Sequence, residues 1–179
     1  MKRLLFTITF TALMAIPATY AQVISKNAIG VRLENNDGLG PQFTYQRAVS
    51  DNNRFEFDLG YGNYRHYDVI KFTTFYHWVF NITGGLNWFV GFGAGVGAVD
   101  ADHDYYGRKY KDYDREHSAV FFTGDGDVGL EYSFLNHGVP LQLALDLNPA
   151  MQFGNDYYGE YYYNNDFDID VAFSVRYQF

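Results

Sequence analysis

At 179 residues, with 13 Lys and Arg against 21 Asp and Glu, the chain carries a formal net charge of −8, which excludes the basic surface that nucleic-acid binding requires. It holds no cysteine, so an exported form of it must rest on packing and sheet closure and not on disulfides. Aromatic residues make up 20% of the chain while mean hydropathy is only −0.26, which argues against a bundle of transmembrane helices but suits a sheet whose alternate residues are apolar.

The chain opens on a leader. Lys2 and Arg3 form a short basic patch, Leu4 to Ile16 is an uncharged apolar run, and Pro17-Ala18-Thr19-Tyr20-Ala21 ends in small residues suited to cleavage after Ala21. The run falls short of the roughly 20 residues a spanning helix needs. Residues 1–21 therefore read as a secretory signal peptide and residues 22–179 as one domain. Loss of Lys2 and Arg3 with the leader makes the remainder still more acidic.

From there the chain reads as strands with a period of two. The first sets Ile29, Val31 and Leu33 against Gly30, Arg32 and Glu34; the second sets Phe43 and Tyr45 against Gln42, Thr44 and Gln46. The third sets Phe55, Phe57, Leu59 and Tyr61 against Glu56, Asp58 and Gly60. The fourth runs Ile70, Phe72, Thr74, Tyr76, Trp78 and Phe80 against Lys71, Thr73, Phe75 and His77. The fifth carries Leu86, Trp88, Val90, Phe92, Ala94, Val96 and Ala98 on one face and Asn87, Phe89 and the glycines 91, 93, 95 and 97 on the other. In the sixth, Val120, Phe122, Gly124, Gly126, Val128, Leu130, Tyr132 and Phe134 oppose Thr123, Asp125, Asp127, Gly129 and Glu131. The seventh sets Leu141, Leu143, Leu145 and Leu147 against Gln142, Ala144, Asp146 and Asn148. The eighth, D-F-D-I-D-V-A-F-S-V-R-Y-Q-F over 166–179, alternates without a break through Phe167, Ile169, Val171, Phe173, Val175, Tyr177 and Phe179.

Long stripes, apolar on one face and charged on the other, are what a transmembrane barrel requires, and an even strand number permits antiparallel closure. The expected fold class is all-β, an eight-stranded antiparallel up-and-down transmembrane β-barrel. The connections alternate in length: Val49–Asn53, Asn81–Gly85 and Leu135–Pro140 are short, whereas Asn35–Gly40, Gly62–Val69, Asp100–His117 and Gly154–Asn165 are longer. Short periplasmic turns and longer external loops put both termini in the periplasm. Tyr45, Phe55, Trp78, Phe80, Trp88, Tyr132, Phe134, Tyr177 and Phe179 then form an outward aromatic girdle at the periplasmic strand ends.

The polar stripes face inward. A barrel of eight strands is only wide enough for side chains to fill it. The expected lumen network comprises the cations Arg32, Lys71 and Arg176 and the acids Glu56, Asp58, Asp125, Asp127, Glu131, Asp146, Asp168 and Asp170. Arg176 is expected to reach at least one inward acid, with Asp58, Asp125, Asp127, Asp146 and Asp168 the first choices. The glycines 91, 93, 95 and 97 make room for long side chains from other strands.

No constellation in the chain reads as catalytic. His66, His103 and His117 fall in outer loops, His137 in a periplasmic turn, and His77 points inward. Asp100, Asp102, His103 and Asp104 have metal-ligand chemistry, but Tyr105, Tyr106, Lys109, Lys111 and Arg115 beside them make a solvated mixed-charge loop. His117-Ser118 is a hydrolase pair only by adjacency in sequence, which is weak support. No cofactor is implied.

The strand count, the loop asymmetry and the ending Val175-Arg176-Tyr177-Gln178-Phe179 together resemble the small eight-stranded bacterial outer-membrane barrels of the OmpX/Ail/OmpA transmembrane-domain type. The resemblance implies a Gram-negative outer-membrane location, with Tyr177 and Phe179 as the signal read by the barrel assembly machinery. It implies lipid and lipopolysaccharide as surroundings. Fold alone does not fix function, since this class holds adhesins, serum-resistance factors and others. The expected role is structural or adhesin-like and non-enzymatic. An extracellular ligand or host surface would be met by Tyr105, Tyr106, Tyr157, Tyr158, Tyr161, Tyr162 and Tyr163, because tyrosine combines contact area with a polar tip. The alternatives are a narrow channel or a lipid-modifying barrel enzyme. An acyltransferase-type barrel needs an apolar interior, and this one is charged.

Overall fold

A computed structural model describes residues 24–35, 40–64, 67–101, 118–154 and 167–179. The proposed leader, residues 1–21, lies outside them. Eight strands close into one antiparallel up-and-down barrel in chain order: β1 Asn27–Glu34, β2 Gln42–Ala48, β3 Asn53–Tyr64, β4 Tyr67–Thr83, β5 Leu86–Ala101, β6 Ser118–Ser133, β7 Leu141–Gly154 and β8 Phe167–Gln178. The seam is made by β1 and β8, paired from Ala28↔Gln178 to Glu34↔Ala172. Phe179 extends it by exchanging two backbone hydrogen bonds with Asn27, at 2.9 and 3.0 Å. Closure matters because an unpaired strand edge in lipid leaves amide and carbonyl groups without any partner.

The alternation read from the sequence sets the two faces of every strand. Outward residues such as Phe43, Phe92, Phe122 and Ile169 are more than half exposed, whereas the inward Thr44, Glu56, His77 and Ser174 are fully buried. The usual order of a protein is inverted: the buried core is polar and the exposed surface apolar. Such a surface is stable against hydrocarbon and not against water.

The turns sort into two rims. At the rim that carries both termini, β2–β3 and β4–β5 close tightly; Gly84 adopts φ 53°, a conformation costly for any residue with a Cβ. The third connection there is a short 3-10 turn, Phe134–His137, ended by Gly138 at φ 75°. The opposite strand ends face the far rim.

Three element bounds differ from the expectation. Gly62–Val69 is not a long loop, because β3 and β4 stay paired through Gly62↔Val69, Asn63↔Asp68 and Tyr64↔Tyr67. Beyond the apolar band a ladder continues on backbone hydrogen bonds alone, so the outward stripe ends before the strand does. β7 likewise runs on to Gly154, with Met151 and Phe153 outward. It tolerates Pro149, which has no amide to donate. The neighbouring Asn148 side chain donates instead to the Gly126 carbonyl on β6, at 2.6 Å. Finally, β3 begins at Asn53, which brings Arg54 inside the barrel.

The inward glycines of β5 act by leaving space. A Cβ at Gly97 would overlap the ring of Phe121, one at Gly93 would stand 2.5 Å from the Phe75 ring, and one at Gly91 would overlap His77. At the seam, a Cβ on Gly30 would overlap the carbonyl oxygen of Val175, which is backbone and cannot move aside. Gly30→Val should therefore block closure of β1 on β8 and cost at least the upper end of the roughly 1–3 kcal/mol typical of overpacking. Refolding the variant into detergent micelles and scoring the compact, heat-modifiable band on a gel checks this; wild-type yield and melting temperature would refute it.

Candidate functional site

The lumen is layered. At the terminus-bearing end Val79, Phe89 and Ala144 form an apolar layer, against which Ile24 packs from the segment before β1. Toward the far rim Val69 and Phe121 form a second, with Val99. Between them lies the charged network. Apolar layers above and below lower the local dielectric, so each charge in between needs a partner.

Glu56 is the hub. It accepts hydrogen bonds from the Thr44 hydroxyl (3.0 Å) and from Gln46 Nε2 (2.7 Å), and it meets the Arg176 guanidinium in a very short contact. Arg32 Nη1 stands 3.8 Å and His77 Nδ1 3.6 Å from the same carboxylate. One acid on β3 thus ties together side chains of β1, β2, β4 and β8. Arg176 also donates to Thr44 (3.3 Å) and Ser174 (3.1 Å). Its carboxylate partner is Glu56, an inward acid as expected though not one of the five aspartates named first; Glu56 stands on β3, three strands from β8 around the closed ring.

A second group surrounds Arg32. Its Nη2 makes a 2.6 Å ion pair with Asp146 of β7, just past the seam, and lies 3.5 Å from Glu34. A third joins Arg54 to Glu131 at 2.6 Å, with Asn87 donating to the same carboxylate at 3.0 Å. Arg54 lies over the Phe89 ring at 5.0 Å and donates through Nε to His77 Nδ1 at 3.4 Å. That bond makes Nδ1 an acceptor, which leaves the ring proton on Nε2, 2.9 Å from Asp127. Lys71 pairs with Asp125 at 3.8 Å, and Thr123 donates to Asp125 at 2.7 Å.

Of the residues proposed from sequence, Arg32, Glu56, Asp58, Lys71, Asp125, Asp127, Glu131, Asp146, Asp170 and Arg176 are all buried in the lumen. Asp168 is not among them: it is exposed at the start of β8 and accepts a hydrogen bond from the Ile169 amide at 2.8 Å. It has inward parity but stands beyond the far apolar layer, in reach of solvent. Sequence reasoning missed Arg54 and Glu34. The signal for Arg54 was its parity with Glu56 and Asp58, masked by its place beside a turn.

Tyr177 and Phe179 point outward and are more than half exposed, their rings stacked at 6.2 Å. They share their rim with the stacked pair Phe80 and Trp88 (4.6 Å) and with Tyr132 and Phe134 (4.7 Å). Tyr105, Tyr106, Tyr157, Tyr158, Tyr161, Tyr162 and Tyr163 lie outside the described residues, as do His66, Asp102, His103, Asp104 and His117.

Closure in chain order, eight antiparallel strands, an apolar outer wall and a filled polar lumen define the small outer-membrane barrel fold. Solved structures of that class superpose on the chain. The N-terminal β-barrel domain of Pseudomonas aeruginosa OprF does so with a TM-score of 0.60 at 12% identity, over 87% of this chain and 98% of that one. Neisserial surface protein A gives 0.58 at 11% identity, over 86% and 94%. Ail, the attachment invasion locus protein of Yersinia pestis, in complex with the heparin analogue sucrose octasulfate, gives 0.50 at 12%, over 87% and 97%. At these identities the likeness is one of fold. No protein-family model matches the sequence, and no curated protein matches it.

The hub predicts a strong asymmetry between single and double variants. Arg176→Met leaves Glu56 without its principal cation and should cost about 3–5 kcal/mol, as removal of one partner of a buried pair does. Arg176→Met with Glu56→Gln removes both charges and should cost clearly less than the sum of the singles. Urea titration of the refolded proteins, read as a double-mutant cycle, measures the coupling; additive costs would show that the pair contributes through packing alone.

Proposed function

We propose that the protein is an integral outer-membrane barrel that serves as a rigid, non-catalytic platform and makes contact with the outside through its far-rim loops. One observation carries the reading. Among the described residues the lumen holds a buried ion-paired network between two apolar layers, which supports a closed barrel over an open pore or an acyl-chain cavity. What remains for a partner is the rim. The turns at the terminus-bearing rim are short, while segments 102–117 and 155–166 leave from the opposite one. On this reading both termini are periplasmic and the far rim is extracellular, set in lipopolysaccharide. The fold likeness to Ail, an attachment invasion locus protein, is in keeping with an adhesin-like role toward an extracellular ligand or host surface. Tyr105, Tyr106, Tyr157, Tyr158, Tyr161, Tyr162 and Tyr163 would supply the contact area.

The test compares cells displaying the wild type with cells displaying a variant whose tyrosines at 157, 158, 161, 162 and 163 are replaced by serine. Attachment to host cells or matrix should fall several-fold at equal surface amount, while the purified variant keeps its melting temperature. Unchanged attachment, together with discrete conductance steps in planar bilayers, would replace the platform by a narrow channel.

The outward Tyr177 and Phe179 fit a role as the signal taken up by the barrel assembly machinery, and Phe179 also bonds the seam to Asn27. Deleting Phe179 should lower the folded outer-membrane fraction several-fold and leave export across the inner membrane intact. Fractionation with heat-modifiable gel migration reads both; wild-type assembly of the deletion would place the signal elsewhere.

A further inference from the structure

The barrel sorts its cations by face. Among the described residues Arg32, Arg54, Lys71 and Arg176 are buried in the lumen against carboxylates, and Lys26 precedes β1 with the parity of the lumen-facing Ala28. Arg47 is the exception. It is exposed, it shares the outward parity of Phe43 and Tyr45, and it stands near the end of β2 at the terminus-bearing rim. Among the described residues no carboxylate forms an ion pair with it; Asp51, in the turn that follows, does not reach it.

The surroundings of Arg47 hold its guanidinium in place. Its Nη1 donates to Asn27 Oδ1 at 2.7 Å, and the Tyr45 hydroxyl donates to the same oxygen at 2.9 Å. Register brings these groups together: Asn27 lies opposite Arg47, and Ile29 lies opposite Tyr45 on one side and Tyr177 on the other. The Tyr45 ring is stacked on Phe57 at 6.2 Å, and Tyr177 on Phe179 at 6.2 Å. With its oxygen engaged twice, the Asn27 amide presents its nitrogen, which has two hydrogens to give. Arg47 keeps Nη2 and Nε for another partner. The corner therefore offers N–H donors and one positive charge, and it contains no acid.

We infer that the corner formed by Asn27, Tyr45, Arg47 and Tyr177 binds the phosphodiester of an anionic glycerophospholipid, such as phosphatidylglycerol, in the leaflet at the terminus-bearing rim. The inference rests on the outer-membrane reading proposed above. Position selects a lipid. The outward stripe of β2 is apolar to Tyr45, and Arg47 follows it at the level of the aromatic girdle, where headgroups meet hydrocarbon. The acyl chains would run along Phe43, Phe57 and Leu59, which adjoin in the β2–β3 register. Donor geometry selects a phosphate, because a guanidinium edge with two free donors matches two oxygens of one phosphate. Charge selects the headgroup. One unpaired positive charge meets the single negative charge of a phosphodiester. Phosphatidylethanolamine and phosphatidylcholine carry that group too, but they add a cation for which the corner has no acid. The site is at the opposite rim from the segments proposed to contact an extracellular partner.

The test titrates the refolded protein in zwitterionic micelles with short-chain phosphatidylglycerol, short-chain phosphatidylcholine or inorganic phosphate. Native mass spectrometry counts retained lipid, and the heat-modifiable band gives the melting temperature. The wild type should retain one phosphatidylglycerol saturably, and its melting temperature should rise with the logarithm of that lipid's concentration, as a ligand of the native state requires. Arg47→Gln, at an exposed position, should bind it about tenfold more weakly. Asn27→Asp places a carboxylate beside Arg47 and removes the amide donors, so it should lose the retained lipid. Lys26→Gln, at the same rim but outside the corner, should bind as the wild type does. Equal retention of phosphatidylglycerol and phosphatidylcholine would overturn the site, as would wild-type retention by Arg47→Gln. Inorganic phosphate that displaces phosphatidylglycerol at equal concentration would overturn the lipid assignment in favour of a free anion. Should Arg47→Gln not fold, unchanged binding by Asn27→Asp decides against the site. A wild type that inserts into vesicles without preferring phosphatidylglycerol refutes the site alone, whereas one that inserts into no vesicle removes the outer-membrane reading and the site with it.

Discussion

Everything in this molecule depends on closing β1 against β8. In hydrocarbon a strand edge has nothing to bond with, so the sheet is stable only as a ring. The seam is the last part of the ladder to be made along the chain, and it is reinforced twice. Backbone pairing runs from Glu34 back to Phe179, which exchanges two hydrogen bonds with Asn27. In the lumen, Arg176 of β8 reaches Glu56 of β3, and Arg32 of β1 reaches Asp146 of β7, so each arginine ties its terminal strand to one beyond its immediate neighbour. Gly30 lets the two backbones approach where a side chain would collide.

Closure also dictates what fills the interior. With eight strands the lumen is too narrow for a column of free water and too polar-faced to be an ordinary core. The chain answers with charge pairing flanked by apolar layers: Val79, Phe89 and Ala144 on one side, Val69 and Phe121 on the other. Buried pairs of this sort are rarely a net source of stability, because desolvation offsets the attraction. They are better understood as setting register. A one-residue slip of any strand would turn its acids toward lipid and its phenylalanines inward, so the network penalises every wrong pairing. The same rigidity suits a platform for rim loops.

How far the sequence alone reveals the protein differs from one part of the chain to another. β8 alternates through seven apolar positions, and its two faces, its length and its end follow from that pattern. Outer ends of strands were hidden: Gly62 to Val69 looks like a loop because, above the membrane band, outward residues have no reason to be apolar, yet the β3–β4 ladder continues through it. Arg54 was obscured by its neighbouring turn. Asp168 shows the reverse failure, since parity reports which way a side chain points but not how far along the barrel axis it stands.

The sequence by itself determined which face of each strand meets lipid, how many strands there are and that both ends of the domain lie at one rim. Those are local properties, set by a period of two and by turn-forming residues in chain order. Only the tertiary structure decided which acid each base meets. Closing the barrel brings Arg176 to Glu56, 120 positions apart, and Arg54 to Glu131, 77 apart. Partner choice in the lumen depends on the tilt and stagger of strands around a closed ring, and no pattern within a single strand records them.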